Sequence, residues 1–244
     1  MTCLVRTGDE GDIFGLSMLC VPTSLPGVRI RKMETQFDTS HSTTFVLFDD
    51  VKVPARYLIG EEGQAFMQIV TNLNHERLVI AISACRTSRV CFSEALNHVL
   101  TRTVFGKKLI EHQVIQYKLA EMAREIEGLQ DMIERVTYQF YRGVPDAKLG
   151  NLCSLLKVKA SRTYEFCARE ASQLFGGSSI VKEGRGKLVE RMYREVRTVA
   201  IPGGSEETLL AQVGKSVFKK ARKILDRQRE KASSSGGKGS RARL

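Results

Sequence analysis

The stretch Leu119-Ala120-Glu121-Met122-Ala123-Arg124-Glu125-Ile126-Glu127-Gly128-Leu129-Gln130-Asp131-Met132-Ile133-Glu134-Arg135-Val136 decides the fold. Leu119, Met122, Ile126, Leu129, Ile133, Val136 and Phe140 alternate steps of three and four, the period of a helix with one buried face. The pattern fills a segment from about His112 to Arg142, closed by Gly143 and Pro145. A longer helix is expected before it, from about Gln64 to Thr103. A third is expected from Asp146, placed to cap it, to Phe175, stopped by Gly176-Gly177. Shorter helices follow near Gly186 to Thr198 and from Glu206 to Asp226. Long helices joined by short loops, each with an apolar stripe, predict an antiparallel bundle.

Ahead of the bundle the texture differs. Cys3 to Arg6, Phe14 to Val21, Val28 to Lys32 and Thr43 to Phe48 are short apolar or β-branched runs, separated by turn residues such as Pro26-Gly27 and Asp49-Asp50. The expected organisation is a partial antiparallel β-domain over residues 1–60, an all-α antiparallel helical bundle over 61–226, and a basic disordered tail over 227–244.

Composition narrows the function classes. The 244 residues are 42% hydrophobic and 27% charged, a globular balance. No apolar run reaches about 18 residues, so no span, and no membrane partner, is expected. Met1 to Arg6 lacks the basic start and apolar core of a signal peptide. The six cysteines (Cys3, Cys20, Cys85, Cys91, Cys153, Cys167) form no C-x-x-C pair and read as free thiols in a reducing compartment; no metal site is expected. The net charge is +11, but eleven basic and two acidic residues lie between Lys215 and Leu244, which leaves the rest near neutral. Nucleic acid is therefore not an expected partner. The linker-like run Ala232 to Ser240 leads to Ala242-Arg243-Leu244, which fits the small-basic-leucine pattern of a peroxisomal address.

One acid stands out. At helical spacing Phe66, Ile69, Leu73, Glu76, Ile80 and Ala84 share a face, which puts the Glu76 carboxylate in an apolar stripe. Burial there would disfavour its charged form and ready it to take a proton; the plainer alternatives are a solvated acid on the helix surface and an ion pair with Arg77. Four further motifs have both a structural and a ligand-binding reading. Arg102-Thr103-Val104-Phe105-Gly106-Lys107 follows a helix end. Glu111-His112-Gln113 opens a helix whose free N–H groups suit an anion. Gln173-Leu174-Phe175-Gly176-Gly177 closes one, and Ile201-Pro202-Gly203-Gly204-Ser205-Glu206-Glu207 is a loop entering the last.

In this order and at these separations, the motifs resemble the acyl-CoA dehydrogenase family of flavoproteins. Val5-Arg6-Thr7-Gly8, Pro26-Gly27-Val28 and Phe48-Asp49-Asp50-Val51-Lys52-Val53-Pro54 look like that family's middle β-domain, so the resemblance covers residues 1 to about 225. It implies FAD-dependent α,β-dehydrogenation of an acyl-CoA thioester, as in fatty acid β-oxidation: a carboxylate removes the α-proton and FAD accepts the β-hydride. Many members keep the base in a Tyr-Glu-Gly-Thr sequence before the last helix. Here Pro202-Gly203-Gly204-Ser205 stands there, so Gly203 replaces the acid. A smaller branch, isovaleryl- and long-chain-like, carries the base in a Glu-Arg-Leu motif on the first long helix, which Glu76-Arg77-Leu78 matches.

The resemblance also assigns Arg102, Phe105, His112, Gln113, Gln173, Gly177, Ser205 and Glu207 to FAD, with Gln173 and Gly177 facing the flavin of a neighbouring subunit. It assigns Asn74 and Arg77 to the acyl-CoA, and the Gly204 N–H to the thioester oxygen. A homodimer or homotetramer is implied, with electron-transferring flavoprotein as an acceptor if the protein is mitochondrial rather than peroxisomal. Val104 and Ala65 depart from the family pattern. No helical domain or Trp-Ile-Thr/Ser segment precedes Val5, so roughly two-fifths of a usual member is expected to be missing and strand edges to be unpaired. The alternatives to an enzyme are a truncated non-catalytic assembly module and a nucleic-acid-associated relative.

Overall fold

The computed structural model describes residues 1–36 and 43–236; Ala242-Arg243-Leu244 lies outside them. Two small antiparallel sheets lead the chain. Strand β1 (Thr2–Arg6) pairs with β2 (Leu16–Cys20), which pairs with β5 (Leu58–Ile59), in the register Leu4 opposite Met18 opposite Ile59. Strands β3 (Val28–Lys32) and β4 (Thr44–Phe48) form the second sheet, Ile30 opposite Val46. The run expected as one strand from Phe14 is split. Residues Ile13–Gly15 form a 3-10 turn because the Asp12 carboxylate accepts the Phe14 N–H at 2.8 Å. Ile30, Phe45 and Phe48 are exposed.

The bundle follows: α1 (Ala65–Thr101), α2 (Gln113–Tyr141), α3 (Asp146–Phe175), the short α4 (Lys187–Glu195) and α5 (Arg197–Ala200), and α6 (Glu206–Gly236). A minimal hairpin, β6 (Thr103–Val104) and β7 (Lys107–Lys108), joins α1 to α2. Helix α3 is central and packs on α1, α2 and α6. Its contact with α1 is built from small residues on both sides: Ala81, Ala84, Cys91 and Ala95 against Cys153, Ala160, Cys167 and Ala171, all buried. Short side chains let two helices approach closely. Helix α2 supplies the bulk, and its periodic set Leu119, Met122, Ile126, Leu129, Ile133 and Val136 is buried. Each such side chain contributes about 1.5–3 kcal/mol. All six cysteines are free, and Cys85, Cys91, Cys153 and Cys167 are core filler.

Two boundaries differ from expectation. Pro145, not Asp146, is the cap of α3. The extended backbone of Pro145 leads into the helix, and Asp146 is its first residue, where an acid meets the positive end of the helix dipole. Helix α6 runs ten residues past Asp226 to Gly236. Arg227-Gln228-Arg229-Glu230-Lys231-Ala232 are good helix formers, so propensity extends the helix where linker had been expected.

Candidate functional site

One end of the bundle is organised by two buried cations. Lys157, on α3, has no exposed surface and donates to the carbonyls of Ala200 at 2.5 Å and Gly204 at 2.9 Å. Arg77, on α1, is 8% exposed and donates from Nε to the Gly203 carbonyl at 2.9 Å, with Nη1 at 3.4 Å from Ser154 Oγ. Desolvation pushes both groups below their ordinary pKa. Around Arg77 the Cys153 thiol and the Glu76 carboxylate oppose that shift, and around Lys157 Glu206 does. Together they hold three carbonyls of the loop between α5 and α6. Gly203 and Gly204 both lie at positive φ, 71° and 105°. A trans peptide directs each N–H opposite to the preceding carbonyl. With the Gly203 and Gly204 carbonyls turned into the bundle, the N–H groups of Gly204 and Ser205 are therefore directed away from it.

The loop's remaining polar residues serve the start of α6. Ser205 Oγ accepts the Thr208 N–H at 3.3 Å, the geometry of a helix N-cap. Glu206 accepts from Ser161 Oγ at 2.6 Å and Arg162 Nε at 3.0 Å. Although desolvation alone would raise its pKa, these hydrogen bonds carry the net shift downward. It is a held anion. Glu207 is exposed on the first turn.

Glu76 is not where periodicity put it. The deep face of α1 runs through Asn74, Arg77, Ala81, Ala84 and Ser88, and the stripe containing Glu76 is only half-buried. Glu76 itself is exposed and accepts from Asn72 Nδ2 at 2.5 Å. The reason is the tight α1–α3 contact, which selects the face with the smallest side chains. Arg77 turns inward beside it, so of the two plainer readings Glu76 takes the solvated one and not the ion pair. Asn74 is buried, and its Nδ2 donates to the Asp146 carbonyl at 2.9 Å. Asn74 and Arg77 line a groove of about 810 Å³ between α1, α3 and α6, together with Asn151, Ser216 and Lys220. Position 203 meets this same turn of α1. A Cβ there would lie 3.0 Å from Ile80 Cδ1 and 3.6 Å from Arg77 Cγ.

A second locality lies at the opposite end. Arg102 and Gly177 line one cleft of about 480 Å³ with His98, Val104 and Phe175. His98 stacks on Phe175 with ring centroids 4.2 Å apart. Its pKa is lowered, first by burial and then by Arg102 and Arg185, which make the cleft electropositive. Phe105 and Gly106 are the turn of the hairpin, at φ 49° and 79°. With positive φ at both centres this is the type I′ form of a two-residue hairpin, a conformation that costs a bulky side chain roughly 1–2 kcal/mol. Phe105 is also 97% exposed, so it is strained and unpacked at once. At the start of α2, His112 is half-buried and its Nε2 is a buried atom without a hydrogen-bond partner. Gln113 and Gln173 are exposed.

The structure thus groups Glu76, Asn74, Arg77, Gly204, Ser205 and Glu207 at one end, and Arg102, Phe105, His112, Gln113, Gln173 and Gly177 toward the other. Arg77 and Arg102 are 25 residues apart on or beside one helix, about 37 Å along its axis. Sequence reasoning missed Lys157, His98 and Arg185. Lys157 sits among Leu155, Leu156 and Val158, and a lysine in an apolar run was the available sign.

The family model for the acyl-CoA dehydrogenase C-terminal domain matches residues 63–218. An acyl-CoA dehydrogenase of Emericella nidulans is 38% identical over 213 residues, 86% of this chain and 48% of that protein. The cyclohexane-1-carbonyl-CoA dehydrogenase of Geobacter metallireducens is 30% identical over 221 residues, 90% of this chain and 56% of that protein. The crystal structure of a probable acyl-CoA dehydrogenase from Mycobacterium abscessus superposes with a TM-score of 0.83 at 31% identity, covering 88% of this chain and 56% of that one. The chain spans about half the length of these relatives.

Proposed function

The chain belongs to the acyl-CoA dehydrogenase family, and from that premise we propose that it takes part in FAD-dependent α,β-dehydrogenation of an acyl-CoA thioester with Glu76 as the base. The observation that carries this reading is the contact between the turn of α1 bearing Glu76, Arg77 and Ile80 and the loop at Gly203. The two places from which the family's base can act face each other, so an acid on α1 reaches the space that an acid at 203 would have served. Glu76 takes the α-proton on a carboxylate oxygen, while Asn72 Nδ2 orients the group through Oε1. Its exposure in this chain means that the desolvation a base needs must come from bound substrate and from whatever covers the groove. The Gly204 and Ser205 N–H groups, directed outward by the Arg77 and Lys157 clamp, suit the thioester oxygen as charge develops on it. Asn74 and Arg77 line the groove that would take the acyl-CoA.

The residues at the other end fit a flavin dinucleotide. Arg102 and Arg185 present positive charge for a diphosphate beside the Gly176-Gly177 backbone, and the strained, exposed Phe105 offers a ring face. His112 adds a buried nitrogen without a partner. When bound, FAD would supply the hydride acceptor. The two groups of residues stand at opposite ends of the bundle, so they serve different flavins. Each flavin site is then completed by a second subunit, in a homodimer or homotetramer, with electron-transferring flavoprotein taking the electrons. The Ala242-Arg243-Leu244 terminus supports a peroxisomal location, with mitochondria as the alternative.

The test is reconstitution of the purified protein with FAD, followed by anaerobic addition of acyl-CoA. Bound flavin should bleach, and Glu76→Gln should keep the flavin while abolishing bleaching. Turnover that survives this change would refute the base, and a protein that stays colourless after reconstitution would refute the flavin site.

A further inference from the structure

Helix α6 leaves the bundle partway along its length. Its early residues are tied down: Leu209 is buried, and Ser216 Oγ accepts from Asn151 Nδ2 at 2.7 Å. From Val217 to Lys231 every residue is exposed, a projection of about 22 Å at helical rise. Solvent alone does not explain what it carries. Val217, Phe218, Ile224 and Leu225 are 55%, 78%, 55% and 54% exposed. At 100° per residue they fall with Ala221 on one arc of about 120°, a single apolar stripe. Lys219, Lys220, Arg222, Lys223, Arg227, Arg229 and Lys231 occupy the rest of the circumference with two acids, Asp226 and Glu230. Arg222 and Arg229 border the stripe on one side, Lys220 and Arg227 on the other.

We propose that the projecting part of α6 lies on the surface of an anionic lipid membrane, its apolar stripe down and its bordering cations at the headgroups. Charge complementarity selects this occupant. The seven cations, against two acids, call for a polyanionic partner, and the contiguous Phe218, Ile224 and Leu225 call for a surface that is apolar just below its charge. A nucleic-acid backbone has the first property without the second. A second copy of the helix has the second without the first, because pairing stripe to stripe would bring like-charged arcs together. Long basic side chains at both edges of the stripe can extend sideways to headgroups while their methylenes stay with the apolar residues. The helix lies on the bilayer without spanning it; none among the described residues is long and apolar enough to cross. This departs from the expectation of no membrane partner, which rested on spans alone.

The test is flotation of the full chain with vesicles of phosphatidylcholine mixed evenly with phosphatidylserine, against vesicles of phosphatidylcholine only. Binding should be at least tenfold weaker on the neutral vesicles and should fall as salt rises. Phe218→Ser with Leu225→Ser keeps the net charge and should weaken binding at least tenfold. Lys219→Gln with Arg222→Gln and Lys223→Gln should weaken it about a hundredfold. These side chains are outside the core, so an unchanged melting transition shows that either variant is folded. Equal binding to both vesicle types, or to neither, overturns the proposal. So does tight binding to duplex DNA with vesicle flotation untouched by the serine changes, which would assign the helix to nucleic acid. A wild type that sediments as an oligomer and becomes monomeric in the serine variant, without floating, would assign the stripe to a second copy.

Discussion

The two ends of the bundle solve opposite problems. Around Gly203 and Gly204, each backbone carbonyl turned into the interior meets a buried cation, and the neighbouring acid and hydroxyl are spent on helix α6. Around Arg102 and Gly177, two guanidinium groups lower the pKa of a half-buried histidine, an aromatic ring stands in solvent on a strained turn, and the buried His112 Nε2 has no partner. The loop of the first end is braced within one chain. The second has the chemistry of a surface built to be completed by something else. A polar network that is satisfied makes a rigid frame, and one that is not marks where free energy has been set aside for a ligand.

The largest effect expected from breaking this contrast is at Lys157. Lys157→Met removes the donor to Ala200 and Gly204 and leaves buried carbonyls unpaired, and it should destabilise the protein by about 3 kcal/mol, read by denaturant unfolding. A loss no larger than that of an ordinary surface change would mean that the loop does not depend on the clamp. The open end should respond in the other direction. Phe105→Asn puts a residue that tolerates positive φ into the turn and should stabilise the ligand-free chain by roughly 1 kcal/mol, while weakening flavin retention in the same preparation. Glu76→Gln should move stability by less than about 0.5 kcal/mol because the side chain is exposed, so any loss of flavin bleaching in that variant is chemical and not structural.

A smaller effect concerns pH. His98 has a folded-state pKa below its unfolded value, first through burial and then through Arg102 and Arg185. The unfolded chain therefore binds the proton more readily, and stability falls as pH drops below the ordinary histidine value. Replacing Arg185 by Gln should move the His98 titration upward, followed by NMR of the imidazole, and reduce the extent of that loss while leaving its onset at the ordinary histidine value. If the titration does not move, Arg185 does not help to set the charge of this cleft.

How much of this was legible in the chain varies with the physics involved. Helix α2 was read residue by residue, because one bulky apolar stripe on a charged helix has a single solution. The end of α3 was legible for a similar reason: Gly176 takes φ 59°, where other residues are strained. Helix α1 misled. Its buried face is made of alanine, serine, cysteine, Asn74 and Arg77, and a hydrophobicity pattern cannot rank a small polar face above a larger apolar one. That ranking comes from how closely α3 approaches, a tertiary fact. Lys157, His98 and Arg185 were out of reach because their partners are backbone carbonyls or rings tens of residues away. The end of α6 was misplaced by reading serine and glycine as linker while the arginines and lysines before them favoured helix.

Gly203 has a consequence for substitution at its own position. Its backbone sits at φ 71°, its carbonyl is held by Arg77, and a Cβ would press to 3.0 Å of Ile80 Cδ1. An acid introduced at 203 is therefore costly before any catalytic gain appears. The loop would have to leave its positive φ and Ile80 Cδ1 would have to give way by a few tenths of an ångström. With Glu76 as the proposed base, those changes also loosen the frame it works against, so packing opposes an acid at 203 before chemistry does.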